Sequence, residues 1–377
     1  MLRRFAIVGL LFVSLQPTGL WGATPDWLFE VSVPVPDRSF SARHRGGQLA
    51  IKILLTRLTG MQDLPSDPRL EEALKTPETY LLSYSYVSEN TAEEGQIRLT
   101  LGFDPVSVQK LIRSSGLPLW SSGRPNIVAW VVVENEGTRQ LLASQSRHPL
   151  VLALEREAAE RGLPLTLPLM DLEDQLAVSP GAVWGGLTQV LEPASVRYQA
   201  DAILVGRVRE SFDGWSARWN YYEQPAFSGN SSRQDRQFRD AGPTPEELAV
   251  NLVDFIASDL VARYAVGGDA QHRIWFQIDG IESIETYAQA MDYFGQLDYL
   301  NDISLIEVTG SQILLSLTTQ SPWPQLRKLL ALDARLAFVE PRFGVEAQYN
   351  PERVKRFHWQ SEPPVVSTQI QESGVGR

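Results

Sequence analysis

The sequence predicts a mixed α/β and α+β protein of three modules, and three observations carry that prediction. Short runs such as LFEVSVPVPD and QIRLTLGF alternate apolar and polar residues, the period of half-buried strands. The near-continuous apolar runs NIVAWVVVE and ADAILVGRV suit strands covered on both faces, as in a partly parallel sheet. Between the strands stand segments of helical spacing with clear end signals, of which TPEELAVNLVDFIASDLVARY is the longest.

An N-terminal α+β domain is expected over 27–118, in the order strand, helix, strand, strand, helix. Its first helix, SARHRGGQLAIKILLTRLTG, sets Leu49, Ile53 and Leu54 on one stripe and stops at Gly60. Its last helix has Asp104 as N-cap, Pro105 at the first helical position and Gly116 past the end. A central α/β domain is expected over 124–267, an α/β sandwich with a partly parallel sheet. Here SPGAVWGGLTQVL reads as one helix, with Val183, Trp184, Leu187, Val190 and Leu191 on its apolar side. Trp215, Trp219 and Tyr221 share one strand face by parity, which the helix starting at Thr244 is expected to cover. Residues 272–341 then give strand, helix, strand, strand, helix, strand, the ferredoxin-like split βαβ order. Periodicity fades after Pro341, so 342–377 is expected to be a disordered tail. Gly267 to Ala270 reads as a hinge.

The first 23 residues have the layout of a secretory signal. Arg3 and Arg4 precede the apolar run Phe5–Leu15, Gln16 and Pro17 break it, and small residues Gly22 and Ala23 follow. That run is shorter than the ~20 residues a membrane-spanning helix needs. The expectation is an exported, periplasmic protein with no transmembrane segment after the signal. The chain has no cysteine, so neither disulfides nor thiol chemistry are open to it, and its fold must rest on its hydrophobic core. Loss of the signal removes two arginines and no acid, taking the net charge from −11 to −13. Such a surface disfavours nucleic acid as a partner.

The candidate chemistry lies between Leu163 and Gly186, in LPLTLPLMDLEDQLAVSPGAVWGG. Asp171, Glu173 and Asp174 follow an apolar run, where sites form beyond strand ends in open α/β sheets, and carboxylates at this spacing suit a hard cation. The same acids also start a helix, by capping free N–H groups and offsetting the helix dipole. On that reading, asparagine at 171 and 174 leaves folding nearly intact. Trp184, Gly185 and Gly186 complete a candidate binding groove, since two helical glycines call either for close backbone packing or for a ligand beside them. The four histidines, His44, His148, His272 and His358, stand apart from one another, with no metal-ligand spacing. Asn230 heads an N-S-S triplet that matches a glycosylation acceptor. No complete catalytic constellation is present, so no catalytic residue, metal or cofactor is assigned.

VPVPDRS, LLTRLTG, GLPLW, the Leu163–Gly186 stretch and RYQADAILVGRV together resemble domain-of-unknown-function family 2066, exported proteins of Gram-negative bacteria. More loosely, ADAILVGRV with its following strands and helix resembles the TolB N-terminal and curli-secretion-type α/β domains of envelope assembly proteins, which bind partners. The resemblance supports the compartment and the domain reading; structural signals without a complete catalytic constellation lead us to expect a periplasmic, non-catalytic protein that binds another cell-envelope component. Two other readings stay open: a small-ligand or glycan binder using the Asp171–Gly186 region, and a metal-assisted hydrolase using Asp171, Glu173 and Asp174.

Overall fold

Three sheets organise the chain, and ten helices stand among the described residues of the computed structural model. Those residues are 26–88, 97–120, 123–223, 234–267, 272–297, 299–332, 335–339 and 354–360. The signal expected over 1–23, the Asn230 triplet, most of the hinge and most of the tail lie outside them.

The first sheet is antiparallel, β1 (Glu30–Val35), β3 (Ile97–Phe103) and β2 (Leu81–Ser88) in that spatial order. Period-two burial puts Val31, Val33, Val35, Leu99, Leu101 and Phe103 into its core. Helix α1 (Phe40–Thr59) covers them. It starts where Ser39 Oγ accepts the Ala42 N–H at 3.1 Å, and it stops at Gly60, whose φ of 71° only glycine adopts cheaply. The buried stripe is Ala50, Ile51, Leu54 and Leu58. Leu49, expected inside, is exposed, because the stripe sits one position further along the helix. Helices α2 (Pro68–Lys75) and α3 (Pro105–Ser114) complete the unit, each begun by an aspartate cap and a proline.

The second sheet has six strands. Its order is β5 (Thr138–Leu141), β4 (Ile127–Asn135), β7 (Ala202–Ser211), β8 (Gly214–Glu223), β9 (Gln234–Gly242), with β6 (Leu165–Thr166) also against β4. β7 and β6 run parallel to β4, and the remaining pairs are antiparallel. Helices α4 (Pro149–Arg161) and α8 (Pro245–Tyr264) cover one face, where Trp219 and Tyr221 are buried as their parity requires. Gly206 is obligatory there: a Cβ on it would fall 2.3 Å from the Trp219 ring. On the opposite face α5 (Leu172–Ala177), α6 (Pro180–Gly185) and α7 (Thr188–Ser195) pack over the β5–β4–β7 side of the sheet. The single helix expected over SPGAVWGGLTQVL is therefore two. Gly186 ends the first with a φ of 66°, and its N–H is turned back to the last carbonyls of α6.

The third sheet runs β11 (Asn301–Thr309), β12 (Gln312–Thr319), β10 (His272–Asp279), β14 (Val354–Trp359), β13 (Leu336–Val339), packed with α9 (Ile284–Gln296) and α10 (Trp323–Leu330). The split βαβ order is present with one change. β14 runs parallel to β10 and occupies the place where β13 would pair in a four-stranded ferredoxin-like sheet. This corrects the expectation that everything after 341 is tail. VKRFHW is a strand because Phe357 and Trp359 alternate into the core beside Phe276 and Tyr293.

Two arginines tie the first unit to the second. Arg57, buried on α1, donates to the Leu28 and Glu30 carbonyls at 3.0 and 2.7 Å and to the Glu160 carbonyl of α4 at 3.3 Å. Arg124 donates to the carbonyls of Gly162 and Arg57 at 2.8 and 2.9 Å. Each guanidinium thus bonds backbone carbonyls of both units.

Candidate functional site

Asp171 is the N-cap of α5, with its Oδ1 accepting the Asp174 N–H at 3.1 Å. Its carboxylate also takes a two-pronged ion pair from Arg197, at 2.9 and 2.8 Å. The same guanidinium reaches Asp174 at 3.1 Å and Glu173 at 3.4 Å. Asp174 is buried, 1% exposed, and its second oxygen accepts from Tyr198 Oη at 2.6 Å and from the Met170 N–H at 2.8 Å. Tyr198 in turn accepts the Leu169 N–H at 3.0 Å and sets its ring edge-on to buried Trp130.

The three sequence-predicted acids are thus brought together, and they are spent on structure. Hydrogen bonding to Arg197 holds the Asp171 carboxyl down at about 2. Desolvation and the bond to Asp174 push the Tyr198 hydroxyl up to about 12. Neither group changes its proton near neutrality. Among the described residues no three His, Cys, Asp or Glu side chains converge as metal ligands.

This knot holds outward a helix too short to stand alone. Leu172 and Leu176, one turn apart on α5, are 73% and 79% exposed. Leu169 before the helix and Val196, the neighbour of Arg197, are exposed as well. Met170 pays a backbone cost for the arrangement, with a φ of 55°, and Gln175 Nε2 donates to its carbonyl at 2.6 Å.

Trp184, Gly185 and Gly186 separate from the acids. Gly185 has no neighbouring backbone within contact of an added Cβ, so its place reflects the helix stop at Gly186 and not close packing. Trp184 lines a groove of about 460 Å³ between α6 and the part of the sheet that α5–α7 leave bare. None of Asp171, Glu173 and Asp174 lines it; Arg207, Arg209, Arg218 and Arg239 do. Arg207 lies opposite Arg218 in the β7–β8 register, and Arg218 opposite Arg239 in the β8–β9 register. At the groove's end Glu134 bonds Arg139 at 3.0 Å and Arg209 at 3.1 Å, and the Arg139 guanidinium lies 4.1 Å from the centre of the Trp184 ring.

Arg197, Tyr198 and the arginine row are the site residues that sequence reasoning missed. The available signal was arginine recurring in three successive strand segments, GRVRE, SARW and RQFRD, in a chain of net charge −11.

Residues 23–121 match a family model described as a domain of unknown function (DUF8605), a stretch that takes in the whole three-stranded sheet and α1–α3. No curated protein and no solved structure matches the chain. No described helix is long and apolar enough to cross a membrane.

Proposed function

We propose that this is an exported, periplasmic, non-catalytic protein that binds another cell-envelope protein through the outer face of α5. The observation that carries the reading is the pair Leu172 and Leu176, held out in water by a helix that Asp171, Asp174 and Arg197 clamp from behind. An exposed apolar pair on a mobile loop is unremarkable, but on a locked platform it is a prepared surface. The likeness of the Leu163–Gly186 stretch to family 2066, and of the β7 region to TolB-type and curli-secretion-type domains, supports the same reading. So does the N-terminal signal pattern, which supports export.

The test is a photoreactive residue at Gln175, which is exposed between the two leucines, in cells that express the full chain. A single envelope protein should be captured, and capture should vanish when Leu172 and Leu176 are both replaced by glutamate. Capture that survives the double replacement removes α5 as the docking face.

A further inference from the structure

We propose that the groove beside Trp184 is a binding site for a phosphoryl group carried on an organic body, independent of the α5 face. Three guanidinium side chains stand in one cross-strand row, Arg207, Arg218 and Arg239, roughly 5 Å from strand to strand. Like charges directly opposite one another destabilise a sheet, so such a row calls for a counter-charge. The described residues do not supply one to Arg218 or Arg239. Among the described residues Arg218 and Arg239 make no ion pair or side-chain hydrogen bond, while Glu134 is spent on Arg139 and Arg209. Asp240 also lines the groove, but its carboxylate accepts from Asn251 of α8 at 3.0 Å and from the Ala241 N–H at 2.8 Å. The connection between β8 and β9, QPAFSGNSSR, contains no carboxylate at all.

The row is also convergent. Arg207 donates to buried Asn220, and its Nε is buried with no partner. Desolvation and the neighbouring Arg218 charge hold its guanidinium below the usual value. A compact dianion answers this arrangement better than a monoanion. A phosphate monoester carries about −1.5 to −2 at neutral pH and offers three acceptor oxygens, which planar guanidinium forks match in pairs. A carboxylate brings one charge and two oxygens. The groove, at about 460 Å³, is far larger than a phosphate ion, and Trp184, Ser216 and Ala217 line it beside the arginines. That leaves room for the body that carries the phosphoryl group, with an aromatic wall at one end.

The experiment is calorimetric titration of the full chain with three probes that share a sugar ring: glucose 1-phosphate, glucuronate and glucose. Inorganic phosphate and phosphatidylcholine vesicles with and without phosphatidate are run beside them. Glucose 1-phosphate should bind, glucuronate should bind at least about tenfold more weakly and glucose not at all. Arg218→Gln and Arg239→Gln should each weaken the phosphorylated probe roughly ten- to a hundredfold, while neither lowers the melting temperature. Binding confined to phosphatidate vesicles upholds the phosphoryl site and assigns its source to a lipid headgroup. Binding of inorganic phosphate as tight as glucose 1-phosphate removes the organic body from the proposal. Glucuronate binding as tightly as glucose 1-phosphate, failure of every phosphorylated probe, or binding indifferent to both replacements overturns it.

Discussion

Arg218 stands directly opposite Arg207 across β7 and β8, with no carboxylate between them. Removing one of two facing like charges relieves repulsion. Arg218→Gln should therefore raise stability in urea denaturation by about 0.2–1 kcal/mol at low salt, and by less at high salt, where screening shortens the reach of each charge. A loss of stability would mean that Arg218 has an internal partner.

The two aspartates around Arg197 should respond differently. Asp171 is an exposed cap, and asparagine caps as well, so Asp171→Asn should melt close to the wild-type temperature. Asp174, read from sequence as a second helix-start acid, is instead a buried acceptor for Tyr198, Met170 and Arg197. An amide there sets N–H groups against donors, and Asp174→Asn should cost about 2 kcal/mol or more. Equal melting temperatures for the two variants would sink this distinction.

Asp201 offers a pH test. It precedes β7, accepts the Asn126 N–H at 2.9 Å, and burial pushes its carboxyl up to about 6 from 3.8. A raised folded-state value means that the folded protein holds this proton more tightly than the unfolded chain. The contribution of this carboxyl is thus most favourable below about pH 4, and it is lost as pH rises through 6. Asp201→Asn removes the cost of the buried charge, so the variant should gain about 1–2 kcal/mol over the wild type at pH 7.5 and almost nothing at pH 4. The check is a pair of denaturation series at those two pH values; a gain independent of pH contradicts the assignment.

β14 makes a testable claim on the third sheet. Phe357 is 2% exposed and touches the rings of Phe276, Trp323 and Phe338. Phe357→Ala should cost roughly 3–5 kcal/mol in chemical denaturation. A near-neutral result would place the chain after 353 outside the core.

Much of the fold was legible because its signals are local. The strand runs NIVAWVVVE and ADAILVGRV, the caps Asp104 and Thr244 and the stop at Gly60 declare themselves within a few residues. Two failures share a cause. WGG was read through as one helix because apolar spacing continues across Gly186, although a left-handed residue ends it. β14 escapes a sequence reading because only six residues carry its pattern, inside a stretch whose Pro, Glu, Ser and Gln content reads as tail. At the site, the clustering of Asp171, Glu173 and Asp174 was plain, but the partner that decides their role, Arg197, lies more than twenty residues on.

By itself, the sequence determined the class of fold, the order of most elements and which strands are buried on both faces, since periodicity and capping are properties of neighbouring residues. Only the tertiary structure decided what the charged residues do. Arg197 pairs with three acids that look like a cation site, and the register of β7, β8 and β9 lines up three arginines drawn from separate strands. Charge acts through space, and cross-strand register is set by pairing partners far apart in the chain.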